Sequence, residues 1–161
     1  MLLPPVRVSR RARQLGYTLA ELVLVCVLLV TLAAVALPIG RVTAKRAKEA
    51  DLRLALRVMR NAIDEYKRFT DAGLIPVDLG SEGYPQELET LVEGVEVVGQ
   101  IDTQVRFLRR IPLDPMLGDT DWGLRSYQDD WDSTSWSGRN VYDVYSLSEG
   151  VGLNGVEYSL W

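Results

Sequence analysis

LGYTLAELVLVCVLLVTLAAVALPIG (Leu15–Gly40) is almost wholly apolar, yet it contains one carboxylate, Glu21. From Leu22 to Ile39, 18 consecutive residues carry no charge. That is long enough for a helix to cross a bilayer. A lone acid at the head of such a run is costly to bury and calls for a partner or a function.

Charge is distributed along the chain as a gradient. Residues 1–16 hold four arginines (Arg7, Arg10, Arg11, Arg13) and no acid. Residues 41–72 hold nine basic and five acidic residues, whereas residues 73–161 hold five basic and sixteen acidic ones, a net of −11. Basic residues ahead of an apolar span stay in the cytoplasm, so the acidic C-terminal part is expected on the far side of the membrane. A head of this charge is a poor ligand for nucleic acid. The single cysteine, Cys26, lies in the apolar run and excludes an intramolecular disulfide. With no histidine in the chain, histidine-based metal sites and Ser-His or Cys-His catalysis are excluded.

Three readings compete for the N-terminus. A secretory signal peptide fits the basic start, but the apolar run exceeds a normal signal core. A plain signal anchor accounts for length and orientation but not for Gly16-Tyr17-Thr18-Leu19-Ala20-Glu21. The third is a prepilin-type signal. The segment resembles the N-termini of type IV pilins and type II secretion pseudopilins: a basic leader, a glycine, an aromatic or Met residue, and a Glu four residues further on, heading an apolar helix. Gly16, Tyr17 and Glu21 fill those places, with Tyr17 where the family most often has Phe. The resemblance implies that a prepilin peptidase cuts after Gly16 and methylates the new amino terminus at Tyr17. The apolar helix is then retained for assembly. Glu21 would pair with the Tyr17 ammonium of a neighbouring subunit; the simpler alternative is an interfacial Glu that snorkels. Pro38 also matches a position often occupied by proline in that family, and an interior proline loosens a helix.

Beyond Gly40 the pattern predicts a continuing helix, residues 41–72. Leu52, Leu56, Met59, Ile63, Tyr66 and Phe69 recur at steps of three or four, with Ala55 and Ala62 on the same side. Lys45, Arg46, Lys48, Arg53, Arg57 and Arg60 lie mostly off this stripe, on a face suited to solvent, acidic heads or anionic lipid. Gly73 is the expected stop. Residues 73–103 read as a loop with one short helix beginning near Pro85 and carrying Leu88, Leu91 and Val92. Trp122–Gln128 and Asn140–Leu147 read as antiparallel strands joined by a polar loop. Asp129, Asp130 and Asp132 form an acidic run, read as a solvated loop rather than a metal site. Trp122, Trp131, Trp136 and Trp161 are expected to form a small core rather than a sugar-stacking surface.

A second resemblance lies in this C-terminal part. The segment RRIPLDP (Arg109–Pro115), then VYDVYSLSEG (Val141–Gly150) and the final YSLW are similar to the major pseudopilin of type II secretion systems. Arg110, Pro112, Asp114 and Pro115 match its first element; Asp143, Ser146, Leu147, Glu149 and Gly150 match its second. The resemblance implies a short three-stranded sheet and a C-terminal loop that binds calcium. Here the donors would be Glu149 and Asn154, with Glu157 close by. Calcium takes six to eight oxygens, several of them carboxylates, and this loop is poor in them. The alternative is a glycine-rich turn pinned by Trp161.

The expected architecture is α+β and pilin-like. A leader (1–16) precedes a transmembrane and assembly helix (17–40), its amphipathic continuation (41–72) and a small antiparallel head (73–161). The resemblance implies a non-enzymatic subunit of the bacterial inner membrane. Its N-terminus would be cytoplasmic and its head periplasmic. Its partners would be the prepilin peptidase, other copies, other pseudopilins and the inner-membrane secretion platform. The alternative within the class is a type IV pilus or competence pilin. The rival from another class, a membrane-anchored hydrolase using paired head carboxylates, is disfavoured by the small head.

Overall fold

The computed structural model describes residues 18–100 and 103–161, and for residues 35–39 the backbone alone. Gly16 and Tyr17, the expected processing residues, lie outside the described residues. The protein is α+β, with helices and two small antiparallel sheets. It divides into two compact units, Met1–Arg41 and Val42–Trp161.

In the first unit, helix α1 (Leu19–Asp71) begins immediately after Thr18. The Thr18 hydroxyl accepts the backbone N–H of Glu21 at 3.2 Å, and its carbonyl accepts that of Leu22 at 3.1 Å. These are the bonds of an N-cap, which satisfy donors that the first turn cannot pair internally. The helix backbone continues through Pro38 and Gly40. Leu22, Leu24, Leu28 and Leu29 are exposed, as is Cys26. Among the described residues no helix is long and apolar enough to cross a membrane. The uncharged run of the sequence extends to Gly40, and the side chains of residues 35–39 within it are not among those described.

In the second unit the amphipathic stripe of α1 builds the core. Leu52, Leu56, Met59, Ile63 and Tyr66 are buried together with Ala55 and Ala62, and Phe69 packs at the margin. Tyr66 and Phe69 each meet Phe107 edge-on, with ring centroids 5.3 Å apart. The helix ends at Asp71, and Gly73 closes it as expected. Its φ of +69° lets Gly73 N–H reach the Thr70 carbonyl at 2.9 Å and Leu74 N–H the Phe69 carbonyl at 3.0 Å. This is a Schellman closure, and a side chain at the left-handed position would strain it.

The region after α1 differs from expectation in two ways. The short helix, α2, covers only Thr90–Glu93, and Pro85 does not start it. The Pro85 carbonyl is instead taken by Val141 N–H at 2.7 Å, while the Leu91 carbonyl accepts Phe107 and Leu108 N–H. Contacts to distant segments hold the chain where helical bonds were expected. Second, β1 (Val95–Glu96) and β2 (Gln104–Val105) form an antiparallel pair that the sequence did not announce. The main sheet pairs β3 (Trp122–Arg125) with β4 (Asp143–Ser146), antiparallel, with Gly123 opposite Tyr145 and Arg125 opposite Asp143. Both strands are shorter than expected, and the implied three-stranded sheet is replaced by these two separate pairs. Gly123 is required here: a Cβ would lie 2.2 Å from the Tyr145 ring.

Candidate functional site

Two regions carry the expected functional residues. The first is the start of α1. Glu21 sits in the first helical turn, with Thr18 three residues before it as the cap. Thr-x-x-Glu is the pattern of a capping box, and a carboxylate in the first turn also complements the helix dipole. This pattern is legible in the sequence and gives Glu21 a local role beside the expected pairing with Tyr17.

The second is the C-terminal loop, which α1 holds with four charged side chains from one region of the helix. Glu49 is 4% exposed. Its Oε1 accepts Leu153 N–H at 2.8 Å and the Tyr158 hydroxyl at 3.1 Å. Burial, then this bond to Glu49, raises the Tyr158 phenol above its ordinary pKa of 10.0. One turn earlier, Lys45 Nζ donates to the Val151 carbonyl at 2.6 Å. Further along, Arg53 lies over the Trp161 ring, 4.3 Å from its centroid. Arg60 donates to Asp143 Oδ1 at 2.6 Å, to the Val144 carbonyl at 3.1 Å and to the main-chain oxygen of Trp161 at 2.7 Å. The loop closes on itself through Gly152 N–H to the Val156 carbonyl at 2.8 Å and Tyr158 N–H to the Gly150 carbonyl at 3.1 Å.

The donors do not fit a calcium ion. Glu149 is exposed, and Asn154 Oδ1 accepts Val156 N–H at 3.2 Å within its own loop. Glu49, the carboxylate that does enter the loop, already serves two donors. Among the described residues no group of three or more His, Cys, Asp or Glu side chains is placed to hold a metal. The turn pinned by Trp161 accounts better for this segment. Gly152 is needed for it, because a Cβ there would meet the Trp161 ring at 2.5 Å. Sequence reasoning overlooked Glu49, about a hundred residues away on an exposed-looking helical face. Its only signal was an acid among bases.

The two head motifs meet at one point. Asp114, from the first, is fully buried. Its Oδ2 accepts the Ser146 hydroxyl of the second at 2.5 Å, and its Oδ1 accepts Met116 N–H at 2.7 Å. Trp122 Nε1 donates to the Pro112 carbonyl at 2.9 Å. Arg125, also buried, ties the Ser133 carbonyl at 2.7 Å to that of Ser159 at 2.9 Å and lies 4.0 Å over the Tyr145 ring. These polar groups are satisfied by the fold itself and leave no free acid-base pair at this joint.

The acidic run divides. Asp129 turns back, its Oδ2 accepting Ser126 N–H at 2.7 Å and Ser137 N–H at 3.3 Å. Those backbone bonds hold its carboxyl below the ordinary value of 3.8. Asp130 and Asp132 are exposed. The tryptophans divide too. Trp122 is core and Trp161 packs against it, but Trp136 is 39% and Trp131 78% exposed. The four do not form one core: Asp129 and the buried Arg125 tie the loop carrying Trp131 and Trp136 down through its backbone, and Trp131 is left exposed.

Comparison of the chain with family models, curated proteins and solved structures finds no match.

Proposed function

We propose that this chain is a pseudopilin-like structural subunit that assembles into a periplasmic fibre driving type II secretion. The observation that carries the reading is Gly16-Tyr17 followed by Glu21 at the head of an uncharged apolar run. It is supported by α1, which begins just beyond Tyr17 and whose second half, in the Val42–Trp161 unit, buries its apolar stripe in a small α+β head. The exposed leucines of the first unit are suited to lipid before assembly and to neighbouring helices after it.

In this reading the leader arginines keep the N-terminus in the cytoplasm and the head is periplasmic. The peptidase cuts after Gly16 and methylates Tyr17. The subunit waits in the inner membrane, the secretion platform extracts it, and copies stack with their Glu21 carboxylates against neighbouring Tyr17 amines. Catalysis is no part of the role: Glu49, Asp114 and Asp143 are engaged in holding the head together. Deletion of the gene tests the machine it serves. Loss of exoprotein release with surface fibres intact is expected. Loss of surface fibres with release intact would assign the chain to a type IV pilus or competence pilus instead.

A further inference from the structure

Between α1 and the C-terminal segment lies a groove of about 510 Å³ lined by Arg53, Arg57, Arg60, Asn61, Leu160 and Trp161, together with Asn154, Val156 and Leu56. Three arginines on successive turns of one helix face it, and no Asp or Glu is among its lining residues. Arg60 and Arg53 are committed to Asp143 and Trp161. Arg57 is exposed and, among the described residues, has no hydrogen bond or ion pair.

The loop between β3 and β4 has the opposite character. Its base is built: Asp129 accepts Ser126 and Ser137 N–H, Ser133 N–H bonds the Asp130 carbonyl at 3.0 Å, and Arg125 grips the Ser133 carbonyl. On this base stand Asp130, Trp131 and Asp132, all exposed. Among the described residues neither Asp130 nor Asp132 has a side-chain partner. An indole held 78% exposed between two free carboxylates is unusual on a surface that is not a contact.

We infer that the Asp130-Trp131-Asp132 loop of one copy docks in the Arg53–Arg57–Arg60 groove of a second copy. The inference rests on the fibre reading above and names a head contact for it. The carboxylates would meet Arg57 and its neighbours, and the indole would lie on Leu160 and against guanidinium faces. Charge complementarity selects a second copy: the basic face of α1 and the acidic head belong to the same chain. Repeated head to tail, a contact between two different surfaces such as this loop and groove propagates from copy to copy, as a fibre requires.

The test is disulfide trapping in membranes from cells expressing the full chain with Cys26→Ala. Thr134→Cys, in the same loop and exposed, combined with Asn61→Cys, is oxidised with copper phenanthroline, so that Trp131 stays in place. A ladder of dimer, trimer and higher species is expected. Thr134→Cys with Leu79→Cys, whose position is exposed but lies outside the groove, should give none. Arg57→Glu added to the trapping pair should lower the cross-linked yield roughly tenfold, and Asp132→Arg on top should restore it. Thermal unfolding of each variant shows that the heads are folded. Equal ladders from Asn61→Cys and Leu79→Cys, or no rescue by charge exchange, would overturn the docking. The first residue of the mature chain reports separately on the fibre reading. A chain starting at methylated Tyr17 without the ladder defeats this contact alone.

Discussion

The carboxylate of Glu49 on α1 accepts the hydroxyl of Tyr158 at 3.1 Å, across 109 residues of sequence. The same oxygen takes Leu153 N–H, so one helical side chain fastens both the turn of the C-terminal loop and the Tyr158 that follows it. It fastens to the helix the loop that the resemblance expects calcium to hold.

Removing that carboxylate should therefore matter more than removing calcium. Glu49→Ala leaves two donors unpaired, each costing roughly 1–3 kcal/mol, and should lower the melting temperature of the full chain in detergent. Glu49→Gln keeps an acceptor and should be milder. Excess chelator should leave the wild-type melting curve in place, since only a ligand bound to the folded state stabilises it. A lower melting temperature in chelator would restore calcium to the loop.

Acid should weaken the loop between β3 and β4. The folded-state pKa of Asp129 is depressed by the Ser126 and Ser137 N–H groups, so its contribution is fully present above the unfolded value and lost as pH falls through the folded one. Thermal unfolding below about pH 4 should lose stability that Asp129→Asn, already weaker at neutral pH, does not lose again. Identical acid dependence in the two proteins would remove Asp129 from the account.

Glu21 has two candidate roles, and a pair of variants separates them. Glu21→Gln keeps the helix-start pattern with Thr18 but discards the charge; Glu21→Ala discards both. If the carboxylate matches a neighbour's Tyr17 amine, both should insert and be processed, yet fail to form fibres. Each ammonium would be buried without a partner at roughly 3–5 kcal/mol per subunit. Glu21→Asp should be intermediate. Fibre yield beside the amount of processed protein gives the answer, and normal fibres from Glu21→Gln would leave only the capping role.

The helical core was legible because its signal is local and periodic: Leu52, Leu56, Met59, Ile63 and Tyr66 repeat along one face, and all are buried. Gly73 was legible because left-handed backbone favours glycine. The strands β3 and β4 showed through β-branched and aromatic residues, but their ends did not. Ser126 and Asn140, read as strand, are claimed by the loop, where the Ser126 hydroxyl bonds the Asn140 carbonyl at 2.9 Å. The Pro85 segment and the β1–β2 pair are set by bonds to residues far along the chain, which no local pattern encodes. Glu49 was missed for the same reason. Trp131 has the area of a core residue, but the base of its loop leaves it exposed.

The central claim is that this is a processed pilin-like subunit, and the mass of the mature protein tests it most directly. The full-length chain, expressed with its prepilin peptidase and extracted from membranes, should have an intact mass corresponding to residues 17–161 plus one methyl group. N-terminal fragmentation should place that methyl on the Tyr17 amine, and Gly16→Leu should retain residues 1–16. A mature chain beginning at any other residue, or an unmodified full-length chain in the presence of active peptidase, would contradict the account.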